Sequence, residues 1–73
     1  MNKMNINDLK DFMKKCKFEI NGEVTENATL GELGMESLDI MMLTFELGSE
    51  YNKDFEIKAN NTIAEILNMV NNG

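Results

Sequence analysis

Ser37-Leu38-Asp39-Ile40-Met41-Met42-Leu43-Thr44-Phe45-Glu46-Leu47-Gly48-Ser49-Glu50-Tyr51 carries two apolar stripes at helical spacing. Ile40, Leu43, Thr44, Leu47 and Tyr51 form one stripe. Leu38, Met41, Met42 and Phe45, at i, i+3, i+4 and i+7, form the other. One of them must face the domain's own core. A chain of 73 residues supplies too little other structure to cover both. The first stripe continues down the helix to Tyr51, whereas the methionine stripe stops at Phe45. The first is therefore expected to face inward and the second to meet a partner. Gly48 costs roughly 1 kcal/mol against alanine in a helix interior, which allows a bend or early fraying there.

Two further helices flank this one. In Ile6 to Cys16, residues Leu9, Phe12, Met13 and Cys16 share one face, with Asp8, Lys10, Asp11, Lys14 and Lys15 opposite. Asn5 or Asn7 caps the start, and the acids-early, lysines-late order suits the helix dipole. Cys16 is expected to be buried as a small hydrophobe. From Thr62, residues Ile63, Ile66, Leu67 and Val70 make a third amphipathic face, with Asn61 or Thr62 as cap and Asn71-Asn72-Gly73 as the close. Between the second and third helices, Tyr51, Phe55 and Ile57 are expected to enter the core around a short helical turn at 56–60.

Residues 17–36 lack a period. Phe18, Ile20, Val24, Leu30 and Leu33 are spaced irregularly among Asn21-Gly22, Gly31 and Gly34, so they read as core plugs on a wrapping loop. Asn21-Gly22 has the composition of a hairpin turn, but its flanks are too short and acidic for strands. The expected architecture is all-α: one domain, 1–73, in a four-helix bundle of three long helices and one short. The helices run at about 6–16, 37–51, 56–60 and 62–71, with the long loop 17–36 between the first two.

Composition narrows the function. There is no histidine, so no Ser-His or Cys-His nucleophile pair is available. One cysteine and no histidine leave nothing for a zinc site. The net charge is −6, with +2 on residues 1–16, −4 on 17–36, −4 on 37–57 and zero on 58–73. Such an acidic middle repels nucleic acid and favours basic protein surfaces, although acidity also serves solubility alone. No stretch approaches the roughly 20 apolar residues of a membrane span, and Met1-Asn2-Lys3-Met4-Asn5-Ile6 lacks a signal-peptide core. A cytoplasmic monomer without membrane insertion is expected. It is not expected to be an enzyme: other proteins must supply the catalysts.

Leu33-Gly34-Met35-Glu36-Ser37-Leu38-Asp39 is the segment with chemistry. Ser37 follows a glycine-containing turn and opens the best helix, at an expected N-cap. Its hydroxyl is exposed near the positive end of the helix dipole, where a phosphodiester is electrostatically welcome. Without context, a serine before a helix is only a cap.

The context resembles the acyl carrier protein family, including its peptidyl carrier relatives. That family keeps Gly-x-Asp-Ser-Leu at the head of its second helix, and Gly34-Met35-Glu36-Ser37-Leu38 stands in the same place. The segment 23–34 looks like the loop before the motif. Leu43 and Leu47 match core leucines of the second helix, Glu50-Tyr51 resembles its closing Glu-Phe pair, and Thr62-Ile63 with Ile66-Leu67 resembles the last helix. The likeness runs from about Ile6 to Val70.

The resemblance implies that a phosphopantetheinyl transferase joins 4′-phosphopantetheine from coenzyme A to Ser37, with Glu36 and Leu38 flanking the attachment point. The arm's thiol then carries acyl groups as thioesters between acyl-loading and acyl-processing enzymes with basic or mixed docking surfaces. Leu38, Asp39, Met41, Met42, Phe45 and Glu46 would form the docking face. Two departures stand out. Glu36 replaces the aspartate, moving the carboxylate out by one methylene, and Met42 stands where a fatty-acid carrier usually has an acid. The face is greasier than a housekeeping fatty acid biosynthesis carrier needs, which favours a specialised lipid, polyketide or peptide-type pathway. The alternative is an unmodified helical adaptor that binds a partner through Leu38, Met41, Met42 and Phe45, with Ser37 only capping.

Overall fold

The computed structural model describes residues 3–72. Its helices are α1 (Ile6–Lys15), α2 (Ser37–Tyr51) and α3 (Ile63–Asn72), and none of the described residues forms a strand. The all-α class therefore holds, with three helices rather than four. Gly73, expected to close the last helix, lies outside the described residues, as do Met1 and Asn2.

The fourth helix fails for a local reason. Residues 53–58 are not helical, and a turn follows at 59–60. Apolar Phe55 and Ile57 alternate with Asp54, Glu56 and Lys58, a period-two pattern that suits extended backbone. Ile57 is buried and Phe55 half-buried, so the predicted entry into the core happens without a helix. The Asn61 side chain then accepts the Lys58 N–H at 2.7 Å, and the Asn61 N–H donates to the Lys58 carbonyl at 3.0 Å. Such side-chain bonds to nearby backbone compete directly with helix.

Reciprocal caps set the starts of α1 and α3. Asn5 Oδ1 accepts the Asp8 N–H at 2.8 Å, while Asp8 Oδ2 accepts the Asn5 N–H at 3.0 Å. Thr62 Oγ1 accepts the Glu65 N–H at 3.1 Å, while Glu65 Oε1 accepts the Thr62 N–H at 2.9 Å. Each box satisfies two donors that a bare helix start leaves orphaned. The hydrogen bonds from the Asn61 side chain and the Thr62 backbone hold the Glu65 carboxyl below the usual carboxylate range. α1 ends at Lys15, one residue before the expected limit, because Lys17 turns left-handed at φ 67°. The Phe18 N–H then reaches the Met13 carbonyl at 3.1 Å, and the Lys17 N–H reaches Lys14 at 3.0 Å. This is the Schellman arrangement. Cys16 becomes the C-cap and is half-buried, not buried. Desolvation and the Glu46 charge push its thiol pKa up, against the pull of Lys15.

Each helix gives the core its apolar stripe: Leu9 and Met13 from α1, Ile40, Leu43 and Leu47 from α2, and Ile63, Ile66 and Val70 from α3. The long connection adds Leu30, Leu33 and Met35, with Phe18, Ile20 and Val24 packed partly against them. Its middle is stitched to the start of α3. The Leu30 N–H donates to the Asn61 carbonyl at 3.2 Å, and the Ile63 N–H donates to Ala28 at 2.9 Å. These two bonds make a single antiparallel bridge, Thr29 to Thr62. A third reciprocal box, Thr29 with Glu32 at 2.8 and 3.1 Å, folds residues 29–34 into a tight turn. The radius of gyration is 11.0 Å, and about 11 Å is expected of a packed domain this long. The connection is thus part of the body. The chain ends are tied as well, since the Asn71 amide accepts the Met4 N–H at 2.8 Å and donates to the Met4 carbonyl at 2.9 Å.

Gly48 neither bends nor frays α2, which runs through to Tyr51. The glycine makes room instead. A Cβ there would stand 2.8 Å from the Lys53 carbonyl oxygen, where the chain folds back under a left-handed Asn52 at φ 55°. Lys53 also donates its backbone N–H to the Gly48 carbonyl at 3.1 Å. Alanine at a free helix site would gain roughly 1 kcal/mol over glycine. Here the backbone clash opposes that gain and costs about 1–3 kcal/mol, as overpacking does. Gly48→Ala is therefore expected to lower the thermal midpoint. A raised midpoint would mean that the return after Tyr51 is looser than described.

Candidate functional site

The turn at 29–34 ends on Gly34, whose φ of 85° lies in the left-handed region. A Cβ at Gly34 would stand 2.5 Å from Asn21 Nδ2. The Asn21 N–H holds the Leu33 carbonyl at 2.8 Å, so the approach to α2 is pinned from the far side of the loop. Met35 then drops into the core, and the chain emerges at Glu36. The buried methionine fixes where the next two side chains surface.

Glu36, not Ser37, is the N-cap of α2, with extended backbone at φ −100° and ψ 175°. Ser37 is the first helical residue. The expected serine cap is thus displaced by one position, because the Asp39 carboxylate reaches back to accept the Glu36 N–H at 2.9 Å. The Ser37 hydroxyl is not consumed in capping, and no intramolecular hydrogen bond of that group is present among the described residues. Ser37 is exposed, in the first turn where backbone N–H groups lack intrahelical acceptors.

Beyond Ser37, α2 divides its faces as its stripes require. Ile40, Leu43 and Leu47 are buried. Leu38, Met41, Met42 and Phe45 are 65, 66, 47 and 72% exposed, so four large apolar side chains stand together in solvent. Asp39 is half-buried beside them, and Glu46 is exposed. Adjoining this face, α2 walls an open groove of about 1070 Å³. That wall runs from Ser37 through Met41, Thr44 and Phe45, and the facing wall is the extended segment with Phe55, Ile57 and Ala59. Thr44, on that wall, donates its hydroxyl to the Ile40 carbonyl at 2.7 Å.

No family model, curated protein or solved structure matches this chain. What the site can do is therefore read from its own residues. It offers one free primary hydroxyl at a helix start, an apolar face, and a groove that shares Met41 and Phe45 with that face. The groove was not foreseen from the sequence, because its second wall is the segment after α2, which was expected to form a helical turn rather than extended backbone. The alternation at 54–58 was its only local trace. Among the described residues no helix is long and apolar enough to cross a membrane.

Proposed function

We propose that this chain is an acyl carrier protein that bears 4′-phosphopantetheine on Ser37. The observation that carries the reading is the uncapped, exposed Ser37 hydroxyl in the first turn of a 15-residue helix. The residues present fit the group. The Ser37 oxygen is free to form a phosphodiester, the first-turn N–H groups and the helix dipole favour the added negative charge, and Ser37 is among the residues that line the groove. Asp39 is engaged with the Glu36 N–H, which keeps one carboxylate turned toward the backbone rather than the phosphate.

When bound, the group supplies a thiol that holds acyl cargo as a thioester. The chain's own part is positional. The turn pinned by Asn21 and Gly34 holds Ser37 outward, and tethering raises the cargo's effective concentration at each enzyme that docks. Leu38, Met41, Met42 and Phe45, edged by Asp39 and Glu46, supply the docking surface. The phosphopantetheinyl transferase and the acyl-processing enzymes supply the catalysis, in the cytoplasm and with the carrier as a monomer. The apolar face and Glu36 favour a specialised lipid, polyketide or peptide-type pathway over housekeeping fatty acid synthesis.

The same exposed face supports a second reading, an unmodified adaptor in which Ser37 carries nothing. Intact mass after incubation with coenzyme A and a broadly tolerant phosphopantetheinyl transferase separates the two. The expected result is a gain of one phosphopantetheine group, absent from Ser37→Ala. No gain with several transferases would sink the carrier reading and leave the adaptor.

A further inference from the structure

The Asn21-Gly22 pair has chemistry that the carrier reading does not use. Both residues are exposed. Gly22 sits at φ 93°, and a side chain there would meet only Leu33 Cδ2, at 4.0 Å. Among the described residues the Gly22 N–H donates no hydrogen bond, and the Asn21 side-chain amide makes none. The Asn21 backbone, in contrast, is anchored through its N–H to Leu33. Its side chain is held only by packing into the space that Gly34 leaves by lacking a Cβ, with Asn21 Cγ 3.3 Å from that point. An asparagine side chain that no hydrogen bond holds, followed by a residue with no side chain to obstruct approach, is open to closure of a five-membered ring.

We propose that Asn21 is a self-modification site, where the Gly22 backbone nitrogen attacks Asn21 Cγ and the deamidated product loosens the turn that leads into α2. The Gly22 nitrogen gives up its proton to solvent base and forms the bond to Cγ. The Cγ–Nδ2 bond breaks, and Nδ2 leaves as ammonia after taking a proton from solvent. Water then adds to one of the two imide carbonyls. The ring reopens either as aspartate or as isoaspartate, in which the main chain runs through the former side chain. The sequence consumes one water and releases one ammonia, and it needs neither oxidant nor reductant. The aspartate product places a carboxylate where Nδ2 now packs against Gly34, whereas isoaspartate draws Cγ into the main chain and leaves its carboxylate on Cα. That charge joins a segment, 17–36, already carrying −4. Isoaspartate also lengthens the backbone beside the Asn21–Leu33 hydrogen bond. The inference is independent of what Ser37 carries.

The test follows the purified chain at physiological temperature and mildly basic pH, by peptide mapping and by isoaspartyl methyltransferase labelling. Mapping separates Asn21 from the other Asn-Gly pair, Asn72-Gly73. Folded protein is expected to convert at Asn21 at no less than about a tenth of its rate in urea, since the fold restrains the reacting groups by under about 1.4 kcal/mol. Gly22→Ala, compared with the parent in urea where strain at residue 22 is irrelevant, is expected to convert more slowly. Protection beyond tenfold on folding, or an unchanged rate in Gly22→Ala, would overturn the site. Asn21→Asp, which copies one product, is expected to unfold at lower urea and to exchange the Leu33–Met35 amides faster. An unchanged midpoint with unchanged exchange would overturn the coupling to α2.

Discussion

Leu43→Ala is expected to cost about 2–5 kcal/mol, enough to leave much of the population unfolded at room temperature. Leu43 has no exposed surface and stands in the middle of α2, among residues from all three helices and the long connection. Removing its terminal carbons forfeits their transfer from water and leaves a hole that a packed interior only partly closes. At about 0.05–0.15 kcal/mol per residue, a chain of this length has little in reserve. The matched control is Met41→Ala, two residues away on the same helix and 66% exposed. It should change stability by under about 0.5 kcal/mol, because the side chain is in solvent and alanine is at least as good a helix former. Urea unfolding followed by far-ultraviolet circular dichroism reads both. A larger loss in Met41→Ala than in Leu43→Ala would mean that α2 is rotated and that the methionine stripe, not the leucine stripe, faces the core. The proposed docking surface would then vanish along with the fold described.

The rotation of α2 was legible from sequence because both stripes are long enough to compare, and only one continues to Tyr51. α1 and α3 were legible for the same reason: their apolar residues recur at i, i+3, i+4 and i+7. Where no period exists, the reading placed Leu30, Leu33 and Ile57 in the core but missed others. Met4 and Met35 are buried, yet each lies outside a periodic run, and an isolated methionine carries no information about its face. The segment around Phe55 and Ile57 holds too few residues for alternation to outweigh a short helix. Ser37 was placed at the N-cap on the preference for a hydroxyl acceptor there. The decisive contact runs the other way, from a Glu36 N–H to an Asp39 carboxylate, and shifts the cap by one residue. That shift matters to function, since a capping serine would have its oxygen occupied. The Thr29-x-x-Glu32 and Thr62-x-x-Glu65 patterns were present to be read as caps, and the first would have shown order inside the long connection. The groove and the contact of Asn21 with Gly34 were not available from any local pattern. The first depends on how the chain folds back after Asn52, and the second arises only when residues 13 apart in the loop are brought together.

That contact makes Gly34→Ala the second large effect, expected to cost about 2–4 kcal/mol. Two penalties add. A residue with a Cβ held at φ 85° sacrifices roughly 1–2 kcal/mol relative to glycine. The new methyl must also displace Asn21, whose Nδ2 lies 2.5 Å from its position and whose backbone is tied to Leu33, at about 1–3 kcal/mol for overpacking. Gly22→Ala calibrates the first penalty alone, because φ there is 93° but the Cβ would enter nearly open space. Asn21→Ala removes the obstructing atoms and isolates the second. In a double-mutant cycle, Asn21→Ala should therefore recover about 1 kcal/mol or more of the Gly34→Ala loss, while the conformational share remains. Full additivity would mean that Asn21 yields without cost, and the turn before Ser37 would then depend on Gly34 alone. If the coupling is found, loading of Ser37 should fall in Gly34→Ala and recover in the double variant. The two positions would then act as one device that holds the hydroxyl outward.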